Sequence, residues 1–391
     1  MLRCINNRKI SLLGLALILT VFTGACVNSD DMERPTPQEN APKTDVSDIA
    51  GPDVSSDPGP AIRMYDGIFE LPVTGATGYA PVKLNLKSSA TADSETIGFI
   101  TEGTGFKILD EEADWWLIES GDLSGWLEHQ YAFINLPDVI PSIIYDNTNT
   151  YSSQFASSGK SLPGISNAAL YSGKTFNERL KREEFIMPVL YTMAKKIQKA
   201  QEEALIEGDS LKIYEGFRPY SVQKAVVKGL TDLANHDAEV KAGINTPPWG
   251  ITWFIVDGVS NHQLGYGIDV SLVKIVSKED IAIGDYSSIR IIDYKEYEMP
   301  TQIHELSSAS AVFTEGVTSK SATAWKNAVY TASMTEGAKR LQKYNTNAGM
   351  TPLASEWWHF NDLEAREETA NNRSTGNFIL QEIYSSIPVL E

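Results

Sequence analysis

Cysteine is almost absent from this chain of 391 residues, which contains only Cys4 and Cys26. Both lie within the first 26 residues, so the rest of the chain has no pair of thiols that could form a disulfide. A zinc site built from cysteine thiolates is excluded there for the same reason. Stability must therefore come from core burial, and any metal site in the rest of the chain must use His, Asp or Glu.

Histidine and positive charge are also scarce. The chain has 5 His, and its 33 Lys and Arg against 51 Asp and Glu give a formal net charge of -18. Such an acidic chain repels the phosphates of nucleic acids, so we expect no nucleic-acid partner. It also offers no strongly basic patch for anionic lipids. The hydrophobic content of 42% is ordinary for a globular protein, and the length is sufficient for two folded units.

The first 26 residues have the pattern of an export signal. Three basic residues precede a short apolar run over residues 10–25, which is too short for a comfortable membrane span. Thr-Gly-Ala-Cys at the end of this segment resembles the cleavage box of bacterial lipoproteins. That resemblance implies a lipid on Cys26 and a mature chain anchored to the membrane of the bacterial cell envelope. A plain signal peptide with an incidental cysteine is the alternative.

Two regions of different character follow the signal. Residues 27–65 are rich in Asp, Pro, Ser and Gly and almost free of large apolar residues. This composition cannot bury enough surface to offset its ordering entropy, so it predicts a disordered linker. Residues 66–136 contain five short apolar runs separated by turn residues, which predicts a small all-β barrel.

The barrel region resembles the bacterial SH3 domain. Leu-Asn-Leu-Lys-Ser-Ser near its start and Gly-Trp-Leu near its end are typical of that family. Domains of this kind commonly bind cell-wall peptides, so the resemblance implies a class of partner without a site. We expect half of the aromatic residues here to be core and the others to be available to a groove, from the set Trp115, Trp116, Trp126 and Tyr131.

The remainder of the chain mixes helical and strand patterns. Helical spacing is found in three stretches and alternating spacing in two, namely 178–205, 222–233 and 321–344 for helices and 211–214 and 268–272 for strands. Pro188 is expected to kink the first helix or to start a new segment. Residues 273–320 fit no clean pattern and are expected to form an insertion that shapes a cleft.

Two short segments carry candidate metal ligands. Ser-x-His-x-x-Gly-x-x-x-Asp includes His262 and ends at Asp269, and Glu-x-x-His runs from Glu356 to His359. A catalytic zinc takes three ligands from His, Asp or Glu and leaves one position for water. A single His near a turn is more often structural, but two of only five histidines fall in these segments. The sequence therefore predicts Zn²⁺ held by His262, Asp269 and His359, with Glu356 free to act on the water.

Together the two segments resemble the signature of the zinc D-alanyl-D-alanine peptidases. These dipeptidases and carboxypeptidases are known from vancomycin resistance and cell-wall recycling, and they share a fold with the hedgehog signalling domain. Phe217, Arg218 and Pro219 match a further feature of that family, an aromatic-Arg-Pro whose Arg contacts the scissile carbonyl. The resemblance covers roughly residues 140–391, and we assign residues 137–391 to the peptidase domain.

The resemblance implies an α+β fold, with a zinc peptidase domain of the hedgehog/D,D-peptidase type behind the small all-β barrel. Zinc would polarise the substrate carbonyl, and Glu356 would carry a proton from water to the leaving amine. Arg218 would stabilise the oxyanion, and Ser260 would hydrogen-bond the substrate. The alternatives are a surface ion pair for Arg218 and a turn cap for Ser260.

One position departs from the pattern of the dipeptidases. Their Met-Gly-Thr-x-Phe-Asp ends in an acid that holds the amino terminus of the dipeptide. The nearest counterpart in this chain ends in His304, followed by Glu305. His304 is then a substrate-binding candidate or a structural residue, and Glu305 is the alternative anchor. A site without an amine anchor favours a carboxypeptidase over a dipeptidase.

The sequence thus predicts an exported, monomeric zinc metallopeptidase that hydrolyses the D-Ala-D-Ala bond of peptidoglycan stem peptides. A D,D-carboxypeptidase is favoured, with a D-Ala-D-Ala dipeptidase close behind. One alternative is a non-catalytic cell-wall-binding lipoprotein with a structural zinc, which needs neither Glu356 nor Arg218. The other is a related L,D-peptidase or endopeptidase.

Overall fold

A computed structural model describes residues 63–380 and 382–390. The predicted signal peptide, Cys26 and almost all of the predicted linker lie outside the described residues. The last part of that linker does not continue as coil, because Arg63–Met64 form a short strand. Among the helices of the described residues, none combines the length and the apolar character needed to cross a membrane.

The first part of the described chain is built from short strands. They are β1 (Arg63–Met64), β2 (Thr77–Tyr79), β3 (Leu84–Lys87), β4 (Thr96–Ile100), β5 (Gly105–Glu112), β6 (Trp115–Ser120), β7 (Leu123–Glu128) and β8 (Phe133–Asn135). Strands β3 to β7 coincide with the five runs expected from the sequence. Trp115 and Trp116 are buried, whereas Trp126 and Tyr131 are half-buried, so half of the four aromatic residues belong to the core.

Helices and further strands alternate in the rest of the chain. The helices are α1 (Leu136–Val139), α2 (Tyr191–Ile206), α3 (Tyr220–His236), α4 (Ala238–Gly243), α5 (Asn261–Leu264), α6 (Glu336–Asn347) and α7 (Leu363–Glu368). The strands are β9 (Ile144–Tyr145), β10 (Ala156–Ser157), β11 (Lys160–Ser161), β12 (Lys174–Asn177), β13 (Arg182–Phe185), β14 (Pro188–Leu190), β15 (Asp209–Glu215), β16 (Gly267–Ile283), β17 (Tyr286–Glu296), β18 (Thr351–Leu353) and β19 (Glu356–Asn361). Single 3-10 turns occur at His129–Tyr131, Thr148–Thr150, Ile251–Trp253, Ser308–Ser310 and Ala324–Asn327.

Strands β2 to β8 form an antiparallel sheet together with β14, in the order β14-β8-β2-β5-β6-β7-β3-β4. Strand β14 belongs to the later part of the chain, and it joins the sheet by pairing with β8. The hydroxyl of Tyr191, at the start of α2, donates to Oε1 of Glu111 at 2.6 Å. Trp116 of the first part and Ile268 of the last share one continuous hydrophobic core. The small β unit is therefore packed into the rest of the molecule.

The second sheet carries the candidate site. Its strands follow the order β1-β17-β16-β15-β9, with β19 also paired to β16 and β18 paired to β19. Strands β16 and β17 continue past the sheet as a long two-stranded ribbon. The first residues of β16 lie between β15 and β19. Side chains of β15, β16 and β19 are thus held close together where β16 begins.

Three expectations about the later part of the chain were wrong in part. The helix predicted from residue 178 begins only at Tyr191, because strands β13 and β14 occupy its first half. The helix predicted from residue 321 begins at Glu336. Residues 273–320, expected to lack a pattern, contain most of the ribbon. Residues 274–280 of β16 are exposed or half-buried throughout, so this part of the ribbon shows no alternation of buried and exposed residues that a sequence pattern could report.

Candidate metal centre

Asp269 and His359 lie side by side on neighbouring strands. The register pairs Asp269 of β16 with His359 of β19 on one side and with Glu215 of β15 on the other. Side chains that are directly opposite on antiparallel strands are close, and Nδ1 of His359 lies 2.9 Å from Oδ1 of Asp269. The sheet therefore fixes two of the three predicted ligands relative to each other.

His262 reaches the same point from the short helix α5. This helix follows Ser260 and ends at Gly265, whose φ of 78° is a left-handed conformation that glycine adopts without strain. Nε2 of His262 lies 3.4 Å from Oδ2 of Asp269. The candidate ligand atoms of His262, Asp269 and His359 all lie within 4.8 Å of one another, and all three residues are buried. The structure thus brings the three predicted ligands together.

Each imidazole has its outer nitrogen engaged by an oxygen. Nδ1 of His262 lies 2.8 Å from the carbonyl oxygen of Gly216, and Nε2 of His359 lies 2.9 Å from Oδ1 of Asn361. Because these oxygens can only accept, each outer nitrogen carries the proton and each inner nitrogen keeps its lone pair. Two lone pairs and a carboxylate therefore face one point. This donor set could hold a divalent metal ion.

The charge states of these groups suit metal binding. Burial acts to raise the pKa of Asp269, but its contacts with the surrounding histidines, His262 first, hold that pKa well below its ordinary value. Burial lowers the pKa of His262, against the opposing attraction of Asp269. At neutral pH the carboxylate is ionised and His262 is neutral, as metal ligands must be.

Glu356 faces the centre without belonging to the ligand group. It opens β19, is only 6% exposed, and places Oε2 4.0 Å from Nδ1 of His359. Burial raises the pKa of Glu356 well above its ordinary value, the charge of Asp269 raises it further, and Arg218 opposes both. A carboxyl group with a raised pKa beside metal ligands is suited to exchange protons with water.

Arg218 is fixed in the turn between β15 and α3. Its Nε donates to Glu215 at 2.7 Å and its Nη1 to Gln223 at 2.8 Å, while Nη2 donates to Glu215 and, at 3.2 Å, to Asp269. Burial acts to lower the pKa of Arg218, but Glu215 and Asp269 raise it, so the group stays charged. These bonds use four of its five N–H groups. One N–H on Nη1 has no partner among the described residues, and the buried position excludes the alternative of a surface ion pair.

His304 contacts the centre through Asp269. Its Nε2 lies 3.2 Å from Oδ2 of Asp269, and its ring stacks on Phe155 with the centroids 4.5 Å apart. The residue is fully buried, and within the described part of the chain its Nδ1 has no hydrogen-bond partner. His304 therefore supports a carboxylate of the centre, and its contact with substrate stays a prediction.

The other two candidates are already engaged within the protein. The backbone N and Oγ of Ser260 both donate to Oε1 of Gln263, at 2.7 and 2.6 Å, which is the arrangement of a helix cap. Ser260 also lines the cleft beside the centre, so both of its interpretations stay open. The carboxylate of Glu305 accepts from the backbone N of Ser158 and Gly159. Glu305 is thus committed to holding a loop.

A cleft of about 800 Å³ opens at the centre. Residues 252–256, 259–262, 316 and 318–320 form much of its lining, together with Phe155, Leu306 and Leu353. Val256 and Val259 are 39% and 41% exposed, so apolar surface is presented around the opening. This volume falls within the range of small-ligand sites, roughly 300–1,000 Å³. The centre is therefore both buried and reachable.

Sequence reasoning missed several residues that hold the site. Glu215 forms an ion pair with Arg218. Its only sequence signal is the presence of an acid three residues ahead of Arg218 in the same segment. Asn361 holds His359 from two residues further along β19. Gln223 lies on α3 and gives no signal at all, because its role depends on how that helix packs.

Comparison with known proteins identifies one part of the chain. Residues 82–132 match the family described as bacterial SH3 domain. This range contains strands β3 to β7, and the resemblance expected for that region is thereby confirmed. No curated protein was found to match the chain.

Proposed function

We propose that this protein is a zinc metallopeptidase that hydrolyses the D-Ala-D-Ala bond of peptidoglycan stem peptides. The observation that carries the proposal is the convergence of His262, Asp269 and His359 on one point, with Glu356 beside them. Structural zinc sites are normally closed by four protein ligands, whereas catalytic sites have three. Within the described residues this ligand group has three members, and a second group of Glu215, Asp269 and His304 shares only Asp269 with it. Three ligands favour the catalytic class and a peptidase domain of the hedgehog/D,D-peptidase type.

The reaction assigns one task to each residue. His262, Asp269 and His359 hold the zinc ion, which when bound supplies Lewis acidity that polarises a carbonyl and lowers the pKa of water. Glu356 takes a proton from the attacking water on its carboxylate and returns it to the nitrogen of the leaving amine. Arg218 offers its remaining Nη1 N–H to the carbonyl oxygen as negative charge develops there.

The surroundings of the centre favour a carboxypeptidase over a dipeptidase. A free dipeptide carries an ammonium group that needs an acidic partner. His304 stands where an acid would hold that group, and it contacts Asp269. Glu305, the alternative anchor, already accepts two backbone N–H groups. A substrate with an acylated amino side does not need such a partner.

The bacterial SH3 match supports a cell-wall setting, because domains of that family commonly bind wall peptides. We place the mature protein in the cell envelope, attached through a lipid on Cys26. The same match favours a second candidate function, a non-catalytic wall-binding protein with a structural zinc. Both candidate functions imply the same location in the cell envelope. Hydrolysis of wall peptides is therefore the property that distinguishes them.

The test is the release of free alanine, of either configuration, by the zinc-loaded chain that begins at residue 27. An acyl-Lys-D-Ala-D-Ala peptide is compared with free D-Ala-D-Ala and with an acyl peptide that ends in L-Ala-L-Ala. We expect release from the first peptide alone. Release from the free dipeptide alone would make the protein a dipeptidase with an amine anchor other than His304 or Glu305. No release from any peptide, with zinc bound, would contradict the proposal and favour either a related L,D-peptidase or endopeptidase or the wall-binding protein.

A further inference from the structure

Lys320 is a charged residue of the cleft to which the proposed chemistry assigns no part. It lines the cleft together with Thr318 and Ser319, and its side chain is exposed. Across the described ranges 63–380 and 382–390, every ion pair forms without it, and only its backbone N makes a hydrogen bond, to Oγ1 of Thr318. An unpaired ammonium in a cleft is free to bind an anionic group of a ligand.

The other charged groups of the cleft are already committed. Arg218 is held by Glu215 and Asp269, and Asp269 also contacts three histidines. Glu356 is the proposed proton carrier. Within the described part of the chain, the lining contains no further acidic residue. The described residues of the cleft thus offer one uncommitted positive charge and no uncommitted negative charge to a ligand.

The remaining lining is largely apolar or uncharged. Phe254, Ile255, Val256 and Val259 contribute one wall, and Gly316, Thr318 and Ser319 accompany Lys320. Such surface accommodates small side chains and peptide groups, but it presents no negative charge with which an ammonium group could pair. The cleft therefore suits a ligand with a carboxylate at one end and no charged amine near it.

We propose that Lys320 binds the C-terminal carboxylate of the substrate and so determines specificity. This inference rests on the proposed peptidase function, and it names the substrate class: peptides with a free C-terminal carboxylate and an acylated amino side. The protein carries a net charge of -18, so a carboxylate approaches against the field of the whole chain. A single cation at the cleft gives that group a local partner.

The test uses one peptide in two forms, acyl-Lys-D-Ala-D-Ala with a free carboxylate and the same peptide as its C-terminal amide. For the full mature chain we expect a KM for the acid about ten-fold lower than for the amide, as loss of one charged hydrogen bond implies. Lys320→Met should raise the KM for the acid to the value found for the amide. It should leave kcat and the KM for the amide unchanged. Lys320→Arg should keep the preference.

Lys326→Met is the matched control, because this lysine is exposed on the same loop and stacks on Trp325 outside the cleft lining. It should behave as the wild type does. An acid-to-amide ratio that Lys320→Met leaves unchanged, in an active enzyme, would overturn the inference while the proposed function stands.

Calorimetric binding of both peptides to zinc-loaded Glu356→Gln protein separates the two claims when no turnover occurs. Tighter binding of the acid that depends on Lys320 supports the anchor, even if the wild type cleaves neither peptide and the peptidase proposal fails. Equal binding of acid and amide overturns the anchor. Absence of binding for both peptides overturns it as well.

Discussion

His304 donates from Nε2 towards Oδ2 of Asp269 across 3.2 Å, so a buried imidazole supports a carboxylate of the candidate metal centre. The same carboxylate also contacts His262, His359 and Arg218. Groups that hold a metal ligand in place are nearly as important for affinity as the ligands themselves. The contact therefore predicts a role for His304 in metal binding that does not depend on a substrate.

His304→Phe should weaken zinc binding by about 10–100-fold, because the hydrogen bond that orients Asp269 is lost while the ring can still stack on Phe155. The measurement is competition for zinc with a chelator of known affinity. His236→Phe is the control, since His236 is exposed at the end of α3. Zinc affinity equal to that of the wild type in His304→Phe, with the fold intact, would show that His304 does not orient Asp269.

Gly267→Ala should disturb the centre through His359. A Cβ at this position would lie 2.9 Å from Cβ of Asn261 and 3.2 Å from Cε1 of His359. Overpacking of this kind costs typically about 1–3 kcal/mol, and here part of the cost falls on a ligand. We expect lower zinc affinity and lower unfolding free energy, measured by zinc titration and urea unfolding. Gly250→Ala should change neither, because no neighbouring atom of the described residues lies within 4 Å of the methyl group that it adds.

Glu215→Gln should lower the unfolding free energy by about 3–5 kcal/mol, because it leaves the buried charge of Arg218 without its main partner. Urea unfolding of the zinc-free protein measures this. Glu279→Gln is the matched control: Glu279 pairs with Arg290 at an exposed position, where such pairs contribute about 0–1 kcal/mol. Similar small losses for both variants would show that Arg218 does not need Glu215.

Stability should depend on the protonation of Glu70. Burial raises the pKa of Glu70 from 4.5 to about 7, against hydrogen bonds from Ser142 and Ser288. Because the folded-state pKa is the higher one, the contribution of this group is fully present below about pH 4.5 and is lost as the pH rises through about 7. Glu70→Gln should therefore gain up to about 3 kcal/mol over the wild type near pH 8 and nothing near pH 4. Urea unfolding of both proteins at both pH values tests this expectation. An equal pH dependence of the unfolding free energy in both proteins would show that Glu70 is not its cause.

The grouping of the three candidate ligands could be predicted because each lies in a short contiguous pattern. His262 and Asp269 are seven residues apart in one segment, and Glu356 and His359 share another. The strands around residues 84–127 were equally visible, since buried and exposed residues alternate along the chain, as in β3. In these segments the local sequence preference and the tertiary structure favour the same residue types.

Other site residues and strands could not be predicted, because they depend on contacts between distant parts of the chain. Glu215 meets Asp269 through the pairing of β15 with β16, and Lys320 reaches the cleft from a loop without a regular pattern. Residues 182–190 form strands despite their helical spacing, because β13 pairs with β12 and β14 pairs with β8. For both of these strands, pairing in the folded protein overrode the local helical preference.

The proposed role of Glu356 is tested most directly by the wild type and Glu356→Gln, compared for zinc content and for D-alanine release from the acyl-Lys-D-Ala-D-Ala peptide. Because burial already disfavours the charged form of Glu356, an amide should be accommodated without loss of fold, and the three proposed zinc ligands are untouched. We predict unchanged zinc content and turnover reduced by at least about 100-fold. Turnover in Glu356→Gln equal to that of the wild type, with zinc bound to both, would contradict the proposed mechanism.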